Sequence, residues 1–127
     1  MEKVLLVAAG GAAGAVTRYA LGVQALRIWG SAWPFGTFIA NVSGGLLMGV
    51  LAGYLAHRGG ADQERLRVLL GVGVLGGFTT FSAFSLETAL MVQRRAYGQA
   101  FAYTSASVLP SISALFVGLL LARKVFA

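Results

Sequence analysis

Charged residues cut this chain into four long apolar stretches. Val4 to Thr17 is uncharged, Arg18 intervenes, and the apolar run resumes to Leu26, so a first span covers 4–26 with one charge inside it. Ser31 to Ala56 carries no charge and supplies a second span, 34–56; a third runs 66–92, and a fourth covers 98–122 before Arg123-Lys124. At about 1.5 Å of rise per residue each is long enough to cross a hydrocarbon layer of roughly 30 Å. The pattern predicts an all-α integral membrane protein: a single membrane domain over 1–127, four transmembrane helices, and both termini on one side of a cell inner (plasma) membrane. The basic start and the small residues Ala13-Gly14-Ala15 also suit a signal peptide, but the apolar pattern continues past that point, which favours a retained helix.

The connections carry their own signals. Trp29 and Trp33 are amphipathic rings of the kind that settle at headgroup level, and Pro34 is tolerated at the first turn of the helix that follows. His57-Arg58-Gly59-Gly60-Ala61-Asp62-Gln63-Glu64-Arg65 is the one clear polar loop, with glycines to end a helix and Asp62 as candidate N-cap of the next. The third span is longer than a straight crossing needs and holds Gly76-Gly77-Phe78-Thr79-Thr80, a poor sequence for closing backbone hydrogen bonds where hydrocarbon offers no alternative partner. An irregular turn near Gly76 to Thr80 follows, with a half-helix ending at Gly76.

Composition sharpens this reading. With 57% apolar and 11% charged residues and a mean hydropathy of +0.79, the chain has too little polar surface for an ordinary soluble domain. There is no cysteine, which removes disulfides, thiolate metal sites and a cysteine nucleophile. The net charge of +6 could suit nucleic acid, but the basic residues sit at the ends of apolar stretches rather than along a face, so no nucleic-acid partner is expected. Lys3, Arg58, Arg65, Arg67, Arg123 and Lys124 fall on one side, and Arg27, Arg94 and Arg95 on the other with Arg18 nearby. So weak a bias permits insertion in both orientations, and two copies could then pair antiparallel.

Several residues do not suit a lipid-facing helix. Asn41, mid-span, reads equally as a fastener between helices and as an N–H donor to an anion; Thr37 lies one turn earlier on the same face. Tyr103, Ser107 and Ser111 follow i, i+4, i+8 spacing, a hydroxyl stripe unless the serines bond back to their own backbone. Phe81 and Phe84 leave the break as i, i+3 neighbours: core packing, or rings whose positive edges face a small anion. Arg18 either snorkels to the interface or lends positive potential to an aqueous vestibule. Glu87, the only acid in an apolar segment, either lines the path or pairs with a hydroxyl or arginine. The carbonyls of Gly76 and Thr79 suit a monovalent cation, the more so if a symmetric partner doubles the set, while a glycine kink is the plainer alternative. Gly10 and Gly14, Gly45, Gly49 and Gly53, Gly73 and Gly77, and Ala114, Gly118 and Ala122 recur at helix-packing spacing.

Taken together, Gly-Gly-Phe-Thr-Thr-Phe-Ser-Ala-Phe-Ser at 76–85, Arg18-Tyr19, Pro34-Phe35-Gly36-Thr37 and Asn41-Val42-Ser43-Gly44 resemble the Fluc (CrcB) family of fluoride channels over essentially the whole chain. The resemblance implies a dual-topology antiparallel homodimer with two passive fluoride pathways that export cytoplasmic fluoride. It implies Phe81 and Phe84 as fluoride-facing rings, Asn41 as a pore donor, Tyr103, Ser107 and Ser111 as a polar track, with Thr37, Ser82 and Glu87 beside the pathway and Arg18 by the vestibule. It also implies a structural Na⁺ at the dimer interface on the backbone carbonyls of Gly76 and Thr79. Two departures stand out: Pro110 interrupts the fourth span beside Ser111, and Ala100 occupies an expected polar position. A small multidrug transporter would need a titratable acid deep in span one, where this chain has Arg18; an assembly subunit would not need the 76–85 break; and no cluster of His, Cys or carboxylates supports an enzyme.

Overall fold

The structure, a computed structural model, describes all 127 residues. It is all-helical, with four helical stretches long and apolar enough to cross a membrane. α1 (Glu2–Trp29) ends at Gly30, whose φ of 76° lies where side chains are strained and whose N–H donates to the Leu26 carbonyl. α2 (Phe35–Arg58) starts after Pro34, which fits a position where no intrahelical N–H bond is required. α6 (Tyr97–Phe126) forms the fourth.

The third stretch, Gln63–Gln93, is compound. It opens with one turn, α3 (Gln63–Leu66), continues as a π-helix over Arg67–Leu75, and returns to α geometry in α4 (Gly76–Phe78). Thr79 and Thr80 are then extended, with φ/ψ of −83°/159° and −153°/123°, before α5 (Phe81–Gln93) begins. The first half-helix therefore ends at Phe78 rather than Gly76. Gly76 and Gly77 stay helical, and Gly77 is the one that α1 needs: a Cβ there would lie 2.6 Å from the Gly11 carbonyl oxygen. The break falls instead on the β-branched pair, which favours extended backbone.

Absent side chains set the packing. α2 lies along α6 with Gly45, Gly49 and Gly53 facing it; a Cβ at Gly45 would stand 2.7 Å from the Ser111 carbonyl oxygen, and one at Gly49 would run into the Leu115 carbonyl. Gly118 returns the contact against Leu46 and Val50. α1 meets the π-helix and α4 in the same way, through Gly10 and Gly14 against Gly73 and Val74. Such close approach gains dispersion contacts and is the means by which helices associate where lipid removes the hydrophobic drive. α5 is held differently, by a small core of Phe84, Met91, Ala100 and Tyr103 with Trp33 and Phe38 against it. Ala100 fills a place in that aromatic cluster, which accounts for its lack of a polar group.

Polar contacts tie the two ends. Arg65 pairs with Glu2 at 2.7 Å, Lys3 approaches Glu64 at 3.7 Å, and Arg58 Nε donates to the Phe126 carbonyl at 2.7 Å, so the termini and the 57–67 loop share one end. At the other, Gln99 donates to the Ala32 carbonyl at 3.0 Å. One local expectation holds and one is corrected. Asp62 is the N-cap residue of α3, as expected, but caps through its carbonyl, which accepts from Leu66, while its side chain makes no capping bond and lies 3.7 Å from Arg65. Pro110 does not interrupt the fourth span: α6 runs through it unbroken, since loss of one N–H is tolerated when neighbouring helices hold the rest of the span.

Candidate functional site

The break at Thr79-Thr80 is built from residues of three helices. A break in a membrane span exposes peptide groups that must find partners inside the protein. Asn41 of α2 supplies both for Thr80: its Oδ1 accepts from the Thr80 N–H at 2.8 Å, and its Nδ2 donates to the Thr80 carbonyl at 3.0 Å. Arg18 of α1 reaches the other side, donating from Nε to the Gly77 carbonyl at 3.3 Å. Thr80 itself caps α5, its hydroxyl accepting from the Ala83 N–H at 3.1 Å. Thr79 donates its N–H and hydroxyl to the Leu75 carbonyl, each at 2.9 Å, while its own carbonyl accepts no hydrogen bond.

Beyond the break, Phe81 and Phe84 stand with ring centroids 5.7 Å apart and tilted by 51°. Phe81 is 79% exposed, whereas Phe84 is buried against Tyr103, at 5.3 Å between centroids. Tyr103 is 0% exposed and sits edge-on to Trp33 at 5.1 Å. Its hydroxyl donates to Glu87 Oε2 at 2.9 Å, and Thr37 donates to Oε1 at 2.6 Å, so one carboxylate joins α2, α5 and α6. Along α6, Ser107 and Ser111 follow Tyr103 at one-turn spacing, and neither buried hydroxyl has a hydrogen-bond partner.

Arg18, Tyr19, Thr37, Glu87 and Arg94 line a cavity of about 470 Å³ at the Trp29–Trp33 end. Two guanidinium groups thus face a space that also holds the only intramembrane carboxylate, and that carboxylate is already bound by hydroxyls.

Residues 5–119 match the family described as CrcB-like protein, Camphor Resistance (CrcB). The chain belongs to the CrcB family. Among its relatives is a protein named "Fluoride-specific ion channel FluC" from Caulobacter sp. (strain K31), 70% identical over 127 residues that cover 100% of this chain and 99% of the relative. A second of that name, from Phenylobacterium zucineum (strain HLK1), is 72% identical with complete coverage of both. A third, from Novosphingobium aromaticivorans, is 55% identical over 98% of this chain and 99% of its own length. These relatives bear the names of ion channels and not of enzymes, and the CrcB chain, with its four apolar helices, is a multi-pass protein of the inner membrane.

Set against the expected site, this CrcB chain gathers Asn41 with the break, and Phe81, Phe84, Tyr103, Thr37 and Glu87 on its far side. Of the two readings of Asn41, the fastening one describes the contacts present. Glu87 pairs with hydroxyls, and Arg18 both reaches the break and lines the cavity. Ser82 is exposed, its hydroxyl 3.4 Å from that of Thr80. Sequence reasoning missed Thr80 as the cap of α5, although a threonine ahead of an apolar helical run is an N-cap signal. It also missed Trp33 as the ring that closes over Tyr103; nothing in the sequence connects residues 70 positions apart.

Proposed function

We propose that this chain is a fluoride-selective passive channel that exports cytoplasmic fluoride, working as an antiparallel, dual-topology homodimer with two anion pathways. The full-length relatives named as fluoride-specific ion channels support the substrate. Within the molecule, the observation that carries the reading is the behaviour of its hydroxyls. Ser43, Ser85 and Thr88 bond back to their own helices, as hydroxyls in membrane helices ordinarily do. Ser107 and Ser111 do not, and remain buried without a partner. A buried hydroxyl left so costs about 1–3 kcal/mol, an expense a passing anion offsets.

Fluoride is small and strongly hydrated, so a conducting path must replace its water with donors that hold it loosely at several sites. Ser107 and Ser111 supply donors along a track headed by Tyr103, whose own hydroxyl hydrogen is held by Glu87; Asn41, Thr37, Ser82 and Glu87 lie beside it, and the positive edges of Phe81 and Phe84 face the ion. Arg18 draws anions toward the vestibule. The carbonyls of Gly76 and Thr79 would hold a structural Na⁺ at the dimer interface. Carbonyl oxygens suit such a hard ion, and the Thr79 carbonyl has no other partner. One copy offers too few oxygens, so a second copy completes the set. A bound cation supplies positive potential that lowers the cost of bringing an anion into low dielectric.

Purified protein in liposomes loaded with fluoride or chloride tests this. Fluoride should leave rapidly and chloride hardly at all; a chloride flux comparable with that of fluoride would overturn the selective-channel reading.

A further inference from the structure

We infer that Asn41 is a positioning residue for the cation site, acting through a single peptide plane. The inference rests on the proposed Na⁺ site. The Thr80 N–H and the Thr79 carbonyl belong to one peptide unit, and that unit is trans, so the two groups point in opposite directions. By accepting from the Thr80 N–H at 2.8 Å, Asn41 Oδ1 fixes the plane and turns the Thr79 carbonyl directly away from α2. Extended backbone at Thr80, φ −153° and ψ 123°, places its own N–H and carbonyl on the same side, where the Asn41 amide engages both. The side-chain amide therefore behaves as a one-residue strand partner.

The consequence is that the Thr79 carbonyl, which has no donor of its own, is aimed by a residue that never touches the ion. Thr79 cannot aim it unaided. Its N–H and hydroxyl are spent on the Leu75 carbonyl, which anchors the preceding peptide and not the 79–80 plane. Arg18 holds the Gly77 carbonyl two peptides earlier and does not constrain this one. An amide has two N–H groups and Asn41 directs one at Thr80, so the other is free for an anion. Asn41 can thus serve the pathway and the cation site together, and the two roles separate by experiment.

The full-length protein in detergent should be titrated with Na⁺ while thermal stability of the assembly is followed, with fluoride efflux from liposomes measured in parallel. Asn41→Leu removes both bonds, of which the one to the Thr80 N–H fixes the plane, and should raise the Na⁺ concentration for half-maximal stabilisation roughly tenfold, about the worth of that one bond. Asn41→Asp keeps the acceptor for the Thr80 N–H, loses the donor to the Thr80 carbonyl and adds a negative charge that itself favours Na⁺, so it should raise that concentration less than threefold or lower it. A Na⁺ curve that Asn41→Leu leaves in place, or that both variants shift equally, overturns the proposal. Fluoride efflux with no Na⁺ dependence of stability in the unmodified protein would instead remove the cation site on which it rests. If the leucine variant does not fold, amide exchange at Thr80 in the unmodified protein decides: protection is expected, and exchange as fast as in an open loop overturns the clasp.

Discussion

At the scale of single residues, membrane hydroxyls divide into those that spend their hydrogen on a neighbouring carbonyl and those that do not. Ser107 and Ser111 belong to the second group, so their contribution to folding and to transport should come apart. Ser107→Ala and Ser111→Ala remove no hydrogen bond and should leave the melting temperature unchanged or slightly raised, while fluoride efflux falls; destabilisation by more than about 1 kcal/mol would mean that the hydroxyls are structural. Phe81 offers a similar separation because 79% of its surface is free within the chain. Phe81→Ile should abolish fluoride efflux and leave helix content intact. Phe84→Ile should also abolish efflux, with some loss of stability because Phe84 packs on Tyr103. Unchanged efflux in both would take the rings out of the mechanism.

Among the elements, the α2–α6 contact depends most on what is missing. Gly49→Val would drive a side chain into the Leu115 carbonyl and within 3.0 Å of the Leu119 nitrogen, both backbone atoms that cannot step aside. A loss of at least ~2 kcal/mol is expected in thermal or denaturant unfolding. Gly98→Ala, in the first turn of α6 and meeting nothing within 4 Å, should instead be neutral or stabilise by less than the roughly 0.5–1 kcal/mol of a mid-helix glycine. These glycines were legible beforehand because helix contacts repeat every three or four residues, and the four spans were legible because crossing a bilayer demands length. The π-helix was not. Over the nine residues Arg67–Leu75 the shift from i−4 to i−5 bonding barely alters the apolar pattern, and no residue type demands it. The break was legible as a region, from Gly76 to Thr80, but its position at Thr79-Thr80 depended on α1 needing Gly77 as a contact surface. The pairing of Asn41 with Thr80 was hidden for a simpler reason: the two stand 39 positions apart, and only the fold brings them together.

For the whole molecule, orientation is the open variable to measure. Lys3, Arg58, Arg65, Arg67, Arg123 and Lys124 lie at the end that holds the termini, against Arg27, Arg94 and Arg95 at the other with Arg18 nearby, a weak asymmetry of basic residues. A C-terminal tag should therefore be reached by impermeant reagents from both sides of the membrane in comparable amounts; reaction from one side alone would rule out dual topology and the antiparallel pair with it. The clasped break also bears on biogenesis. A membrane span with bare peptide groups at its middle is a poor substrate for transfer into lipid. Here the two helices that supply its partners, Arg18 on α1 and Asn41 on α2, are both synthesised before residue 79 emerges. The order of the chain makes the first hairpin a receptor for the third span, which can leave the insertion machinery with its break already closed.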